Sequence, residues 1–288
     1  MPKELRAGVS FDGDTAQIAV LEIRDQDIEL RHIEVRQRQA LGELWFLEGV
    51  LQLKESSFKK MSKVSIAFDH AMVFLYCFPL DTSLHQTEQN EQVHWELSNF
   101  IPNYQAKEYI NDVHILRTHA REQVADVLVV AVKRATLFHT HSMLAEHKLE
   151  LQIADTNYFG AEISLFSNYP ELKSKSVALV STSKNRVDVG LLKNGRLTHY
   201  HYAIISPQEC SKFLKEAFQN FLVSDIIFYG SGITVELVKT LREELGINSI
   251  ILNPFRRVHI PPSLTAFDKF IGYEHQFAAC VGCALRNP

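Results

Sequence analysis

The chain contains no apolar run long enough to span a membrane. Its longest, around Ala71–Leu80, is the length of a strand, whereas a span takes about 18 or more residues. The opening stretch, MPKELRAGVSFDGD, lacks the apolar core and small-residue cleavage site of a secretory signal, so the expected compartment is the cytoplasm. No charge of one sign dominates. With 30 Lys+Arg against 34 Asp+Glu the net charge is −4, which gives no overall attraction to nucleic acid. Cysteine is scarce: Cys77, Cys210, Cys280 and Cys283 suit a reducing compartment as free thiols, although spacing alone does not exclude a pair. Low-complexity segments, short repeats, a P-loop, a serine nucleophile elbow and a His-Glu-x-x-His pair are all missing, so nothing in the sequence argues for an enzyme. What remains is globular: 288 residues, 46% hydrophobic and 22% charged, enough for two domains with their own cores.

Periodicity supplies the organisation. Residues 8–36 read as three successive antiparallel strands, VSFDG, AQIAVLEI and IELRHIEVR, with turn signals between them. LGELWFLEGVLQL (41–53) has helical spacing, and KVSIAFD and AMVFLYCF return to strand, ending at Pro79. TEQNEQVHWELSNFIP (87–102) predicts a helix with Thr87 as N-cap and Pro102 as its stop. The strands YINDVHILRT and VADVLVVAV, a helix near 134–147 and the strand LELQIAD follow. From Val177 the opening pattern reappears as SVALVSTS, RVDVGLL and GRLTHYHYAI. A helix over 210–223, the strand DIIFYGSG, a helix TVELVKTLREELG, the strand SIILNPF and a terminal helix EHQFAACVGCALR complete the chain. Two halves that each open on a strand meander indicate an internally duplicated α/β architecture with a small α+β insert.

At this point the chain resembles the type IV pilus assembly protein PilM family, which is actin-like and related to the cell-division protein FtsA. The resemblance runs from about Ala7 to Arg286 and rests on EQVHWELSNFIP, DVLVVAVKRATL, IADTNYFGAEISL, LKNGRL, YGSGITVELVKTLREELG, LNPF and GCALR, in that order. It implies a first actin-like domain over residues 1–78, an inserted subdomain over 79–150, a return to the first domain over 151–175, and a second domain over 176–288. Only about Ser206–Ser224 separates the second meander from the next strand, so the lid subdomain of nucleotide-binding relatives is expected to be missing.

Set against the family's first phosphate loop, Gly8 matches the first glycine, Ser10 replaces the magnesium-linked aspartate, Asp12 replaces the second glycine and Gln17 replaces the lysine. A hydrated metal thus loses an acceptor and the phosphates lose a cation. Asp12 adds repulsion of ~1–4 kcal/mol at close range, while Asp14 falls where the pattern is variable and a solvent-facing side chain suffices. The second loop, Asp-Ile-Gly in the family, reads Ser181-Thr182-Ser183 here, and only the third element survives, as Gly230-Ser231-Gly232. The expectation is a pseudo-ATPase that takes no cofactor, with weak residual ATP or Mg binding at most.

Other chemistry finds less support. Cys280-x-x-Cys283 invites redox or zinc roles but lacks a second ligand pair, and buried free thiols account for it. His139 and His147 are eight apart on a helix, too far for one ion, and His141 and His147 face differently. His199 and His201 would share one strand face but have no acidic or thiol residue nearby in sequence, so no metal site is assigned. Trp95 lies about 200° around the helix axis from Val93 and points away from the face of Val93, Leu97 and Ile101. It either packs on the first domain or meets a partner. By resemblance the partner is the cytoplasmic N-terminal tail of a PilN-like membrane protein, held between the first domain and the insert, and Trp95, Phe100, Ile101 and Tyr104 are candidates for shaping that groove. Other pilus platform proteins or a second copy are further options. The implied function is a non-catalytic cytoplasmic scaffold of an inner-membrane pilus platform, recruited through partners, since no amphipathic helix follows Arg286 for direct membrane insertion. The alternatives are an active or nucleotide-regulated actin-like ATPase and a GspL-like component of type II secretion.

Overall fold

The computed structural model describes residues 4–287 apart from 25–26, 39–41, 43 and 207–208. In the first half β1 (Glu4–Asp12), β2 (Thr15–Arg24) and β3 (Asp27–Gln37) form the expected meander, and β4 (Lys63–Phe68) and β8 (Glu150–Thr156) extend it in parallel, giving the order β3-β2-β1-β4-β8. The second half repeats the plan with β9 (Ser176–Thr182), β10 (Val187–Lys193), β11 (Arg196–Ala203), β12 (Asp225–Tyr229) and β13 (Asn248–Ile251), in the order β11-β10-β9-β12-β13. Asn194 and Gly195, both at positive φ, make the tight turn between β10 and β11. The middle strands β1 and β4 are buried almost throughout, as strands covered on both faces must be.

Two helices of opposite origin fill the space between the sheets. α7 (Ala278–Leu285), from the end of the chain, lies on β1, β2 and β4 of the first sheet. α4 (Asn157–Asn168), from the first half, packs into the second sheet's core through Tyr158, Ala161 and Leu165. They cross with backbones touching: a Cβ on Gly282 would land on the Gly160 carbonyl, and one on Gly160 would come 2.6 Å from the Ala279 carbonyl. A strap over 252–277 then brings Phe255, Val258 and Phe277 onto the first sheet beside Leu21, Leu30 and Ile33. It is pinned to β3 by His259, whose N–H donates to the Ile28 carbonyl (2.8 Å) and whose carbonyl accepts from Leu30 N–H (2.9 Å).

The insert is a three-stranded sheet, β5-β7-β6, built from β5 (Val73–Asp81), β6 (Tyr109–His119) and β7 (Val124–Lys133), with α2 (Gln86–Phe100) on one face. Several boundaries differ from expectation. β5 passes through Pro79 to Asp81 and pairs with β7, so the insert begins near residue 73 rather than 79; an edge strand tolerates the missing proline N–H. α2 starts after His85, not Thr87, because the Glu88 carboxylate accepts the His85 N–H (2.9 Å). α3 (Arg134–Glu146) joins the first domain's core through Leu144, beside Val64 and Ile66. The segment read as 151–175 of the first domain thus supplies a helix to the second domain's core. The helix read over 41–53 is a 3-10 turn, Trp45–Leu47, followed by α1 (Glu48–Ser56), and its first residues lie partly outside the described ones. Phe46 stacks on Phe11 at 4.2 Å there. α5 (Cys210–Phe218) stops short of 223, and a 3-10 turn, Glu274–Phe277, replaces the first turn of the terminal helix. As expected, α5 is the one α-helix among the described residues between β11 and β12, and α6 (Val235–Leu245) follows β12.

Gly282→Ala should destabilise the protein by about 3 kcal/mol or more, because both backbones at the crossing belong to helices locked into separate sheets. Urea unfolding of the variant, beside a Gly42→Ala control at an exposed position where a Cβ meets nothing, measures it.

Candidate functional site

A cleft lies between the two sheets, at the ends of β1, β9 and β12. It is lined by Ser10, Asp12 and Gln17 from the first hairpin, Ser181 and Ser183 from the second, and Gly230 and Ser231 after β12. The sequence-predicted site residues therefore converge, with two exceptions. Gly8 sits in mid-strand, where a Cβ would run into the Cys280 carbonyl of α7. It is there for helix packing. Gly232 is turned toward the second hairpin, its N–H donating to the Thr182 carbonyl (2.9 Å).

The cleft is spanned and filled by the protein's own side chains. Ser10 Oγ donates to Gln17 Oε1 (3.0 Å) across the first hairpin. The Asp12 carboxylate accepts the Ser231 hydroxyl, linking the two halves directly. Burial is the main reason the Asp12 carboxyl is held above its usual range, with the charges of Asp69 and Asp188 adding to it against the Ser231 bond. The Gly13 N–H at the hairpin tip, the type of amide that meets a phosphate in a phosphate loop, donates instead to Asp69 Oδ2 (2.8 Å). An internal carboxylate stands where an anionic ligand oxygen would. Asp69 also pairs with His70; burial opposes its charge, but the His70 bond and the Gly13 and Ala71 amides outweigh that and keep its carboxyl low. Asp14 is exposed, with Arg38 Nη1 3.6 Å from its carboxylate.

On the second hairpin, Asp188 is gripped by Arg186, whose Nε and Nη2 lie 2.9 and 2.7 Å from Oδ1, and by the Tyr200 hydroxyl at 2.5 Å. The Arg186 guanidinium stacks on Tyr202 at 3.9 Å. The glycine turn is consumed as well: Gly230 has φ +103, and a Cβ there would come 2.5 Å from the Thr182 carbonyl. His275 Nδ1 lies 3.0 Å from the Gly230 carbonyl. Tyr158, 3% exposed, pushes its ring into the cleft against Gly190, and Val73 and Leu75 of β5 add apolar wall. The volume left is about 50 Å³, room for roughly three to five waters at ~10–15 Å³ each. Sequence reasoning missed Asp69, Tyr158, Arg186, Asp188 and Tyr200. Only the alternation Arg186-Val187-Asp188, which puts both charges on one strand face, signalled any of them.

A second concavity lies between edge strand β8 and the insert's open face. Ile110, Asp112 and His114 of β6, Val130 and Val132 of β7, and Gln152–Thr156 of β8 line it, with Arg286 paired to Asp155 at one wall. Burial lowers the His114 pKa, with Arg286 assisting and Asp112 opposing. None of the four residues expected to shape a groove is here. Phe100, Ile101 and Tyr104 pack on the opposite face of the sheet, where Phe100 stacks on Tyr76 (4.4 Å) and Tyr104 on Tyr109 (5.0 Å). Trp95 is 63% exposed on the outer face of α2, so it does not pack on the first domain. Alternation along β6 would have found Ile110, Asp112 and His114, but choosing between the sheet's two faces required knowing where α2 lies.

The remaining candidates are ordinary. Cys280 and Cys283 are buried free thiols, with burial pushing Cys280 up to about 12 and Cys283 higher still. His147 bonds Glu55 (3.0 Å), His199 leans on Phe221 (4.2 Å), and His139, His141 and His201 are exposed. No group of three metal-ligating side chains occurs among the described residues. Nor, among them, is any helix long and apolar enough to cross a membrane.

Duplicated five-stranded sheets, crossed helices between them and an inserted subdomain define an actin-like protein. Across residues 34–203, more than half of its length, the chain matches the family described as type IV pilus assembly protein PilM, and it belongs to that family. A solved PilM–PilN type IV pilus biogenesis complex contains a chain similar over 100% of both lengths, with TM-score 0.78 at 17% identity. A Bacteroides thetaiotaomicron protein of actin-like ATPase fold and unknown function aligns over 87% of this chain and 91% of its own, with TM-score 0.56 and 16% identity. The cytoplasmic domain of EpsL, an inner-membrane component of the Vibrio cholerae type II secretion system, aligns over 85% and 94%, with TM-score 0.50 and 14% identity. At these identities the structures share the fold. No curated protein matches the chain.

The Asp69–His70 pair makes a pH-dependent contribution to stability. The Asp69 hydrogen bond chiefly raises the His70 pKa above 6.5, against burial, so the contribution of His70 is complete below that pH and is lost as pH rises through the folded value. Melting temperatures of wild type and His70→Asn should differ most in mildly acidic buffer and converge in alkaline buffer. A gap that is constant across that range would show that His70 does not act through its charge.

Proposed function

We propose that this chain is a non-catalytic scaffold of the type IV pilus platform. In this reading it neither hydrolyses nor tightly binds ATP, and it docks the cytoplasmic tail of a PilN-like membrane protein in the groove between β8 and the insert. That tail would hold it at the cytoplasmic face of the inner membrane. The observation that carries the non-catalytic part is the cleft closed by Asp12, Ser231, Tyr158, Asp69 and the Arg186–Asp188–Tyr200 cluster. A triphosphate would have to displace all of them and then face three carboxylates.

The groove suits a short extended segment. Ile110, Val130, Val132 and Ile153 offer apolar pockets, and β8 is an edge strand with an unpaired side. β8 bulges at Gln152, so the stretch in regular register runs from Ile153 to Thr156 and sets where main-chain bonding would occur. The likeness to the chain in the PilM–PilN complex supports this choice of partner. The similarity to the EpsL cytoplasmic domain favours a second reading, a secretion-system component with the same scaffolding role.

Two titrations test the proposal. A synthetic peptide of the PilN-like tail should bind the purified chain, and Ile110→Glu, on the half-exposed groove wall, should weaken it at least ~10-fold, about 1.4 kcal/mol. Mg-ATP in a calorimeter should give no binding tighter than millimolar. Micromolar Mg-ATP binding would instead establish the nucleotide-regulated alternative.

A further inference from the structure

We propose that a second groove, between β6 and the β10–β11 hairpin, receives helix α2 of another copy of this chain. This groove is at the other end of β6 from the tail-binding one, and the inference does not rest on that reading.

Arg117, Lys193 and Arg196 line it, beside Ile115 at 64% exposure and the apolar stems of Leu116 and Leu197. None of the three cations forms an ion pair with a described residue, although the chain as a whole is acidic at −4. Both walls bulge at the groove. Leu116 is the extra residue on β6, between pairs Ile115–Val127 and Arg117–Asp126. Thr198 is the extra one on β11, between His199–Leu191 and Leu197–Leu192. Bulges that break the hydrogen-bonding register of both edges disfavour an added strand. The occupant must therefore engage through side chains.

The complement is on α2. That helix carries Glu88, Glu91 and Glu96 and no lysine or arginine. Glu88 is committed to the helix start and Glu96 leans on Tyr76, which leaves Glu91 free one turn before Trp95 on the outward stripe. An exposed tryptophan beside a carboxylate suits a groove that offers an isoleucine and guanidinium groups, through apolar contact, cation–π attraction and ion pairing together. α2 covers a sheet face, whereas the groove follows the sheet's edge, so the helix does not fill its own groove. Two different patches meeting is a head-to-tail contact, which propagates into a filament or ring.

Sedimentation velocity over a concentration series tests this on the whole chain. The weight-average sedimentation coefficient should rise with concentration at ~0.1 M ionic strength and collapse to the monomer value at ~1 M, where the screening length falls from ~10 Å to ~3 Å. Lys193→Glu with Arg196→Glu, and separately Glu91→Ala with Trp95→Ala, should each weaken association at least tenfold. Mixed in equal amounts, the two variants should stop at a dimer, because only one intact pair of surfaces can form per pair of molecules. All four positions are exposed, so unchanged melting temperatures verify folding, and Arg117→Glu as the groove variant and, in a separate molecule, Trp95→Gln as the helix variant repeat the test if either pair melts lower. A monomer at every concentration, association that survives either pair, or a mixture that remains monomeric would overturn the proposal.

Discussion

The crossing of α4 and α7 at Gly160 and Gly282 is the contact on which the rest of the structure depends. α7 comes from the second half and packs on the first sheet, while α4 comes from the first half, touches β4 and β8 and sends side chains into the second sheet's core, so the two sheets are held at a separation fixed by two touching backbones. The Gly8–Cys280 contact sets how deeply α7 sits under the first sheet, and the strap pinned by His259 ties the same halves together at β3. The distance between the first hairpin and the glycine turn follows from these constraints. It is short enough for Asp12 to reach Ser231.

In that fixed gap the chain's own polar groups bond to one another. Hairpin amides and glycine turns bind phosphates because their N–H groups point into open space. Here the Gly13 N–H goes to Asp69 and the Gly232 N–H to Thr182, while the carboxylates in the cleft are held by Arg186, His70 and the hydroxyls of Tyr200 and Ser231. The two hairpins and the glycine turn still meet across the cleft. Several of its donors and much of its volume are taken up by internal contacts.

Those surfaces centre on the insert. Its sheet has one face closed by α2 and the other turned toward β8 and the second domain, so this small element supplies one wall of the apolar groove beside β8, one wall of the basic groove beside the β10–β11 hairpin, and the acidic outer stripe of α2. The bulges at Leu116, Gln152 and Thr198 limit open-ended strand pairing at otherwise exposed edges.

Sequence alone determined the strand meanders, their repetition, the single α-helix among the described residues between β11 and β12, and the departures from the family's phosphate-loop residues at Ser10, Asp12, Gln17 and Ser181–Ser183. These are local matters of alternation, turn residues and charge, and they survive folding because neighbouring strands pair in chain order. The exchange of α4 and α7 between halves, the start of the insert at Val73 and the closing of the cleft by Tyr158, Asp69 and Asp188 were decided only in three dimensions. So was the partition of the insert's residues, with Phe100, Ile101 and Tyr104 on the α2 face and Ile110, Asp112 and His114 in the groove. Alternation assigns residues to two faces but does not say which one a distant helix will cover, and that is settled by packing between segments far apart in the chain.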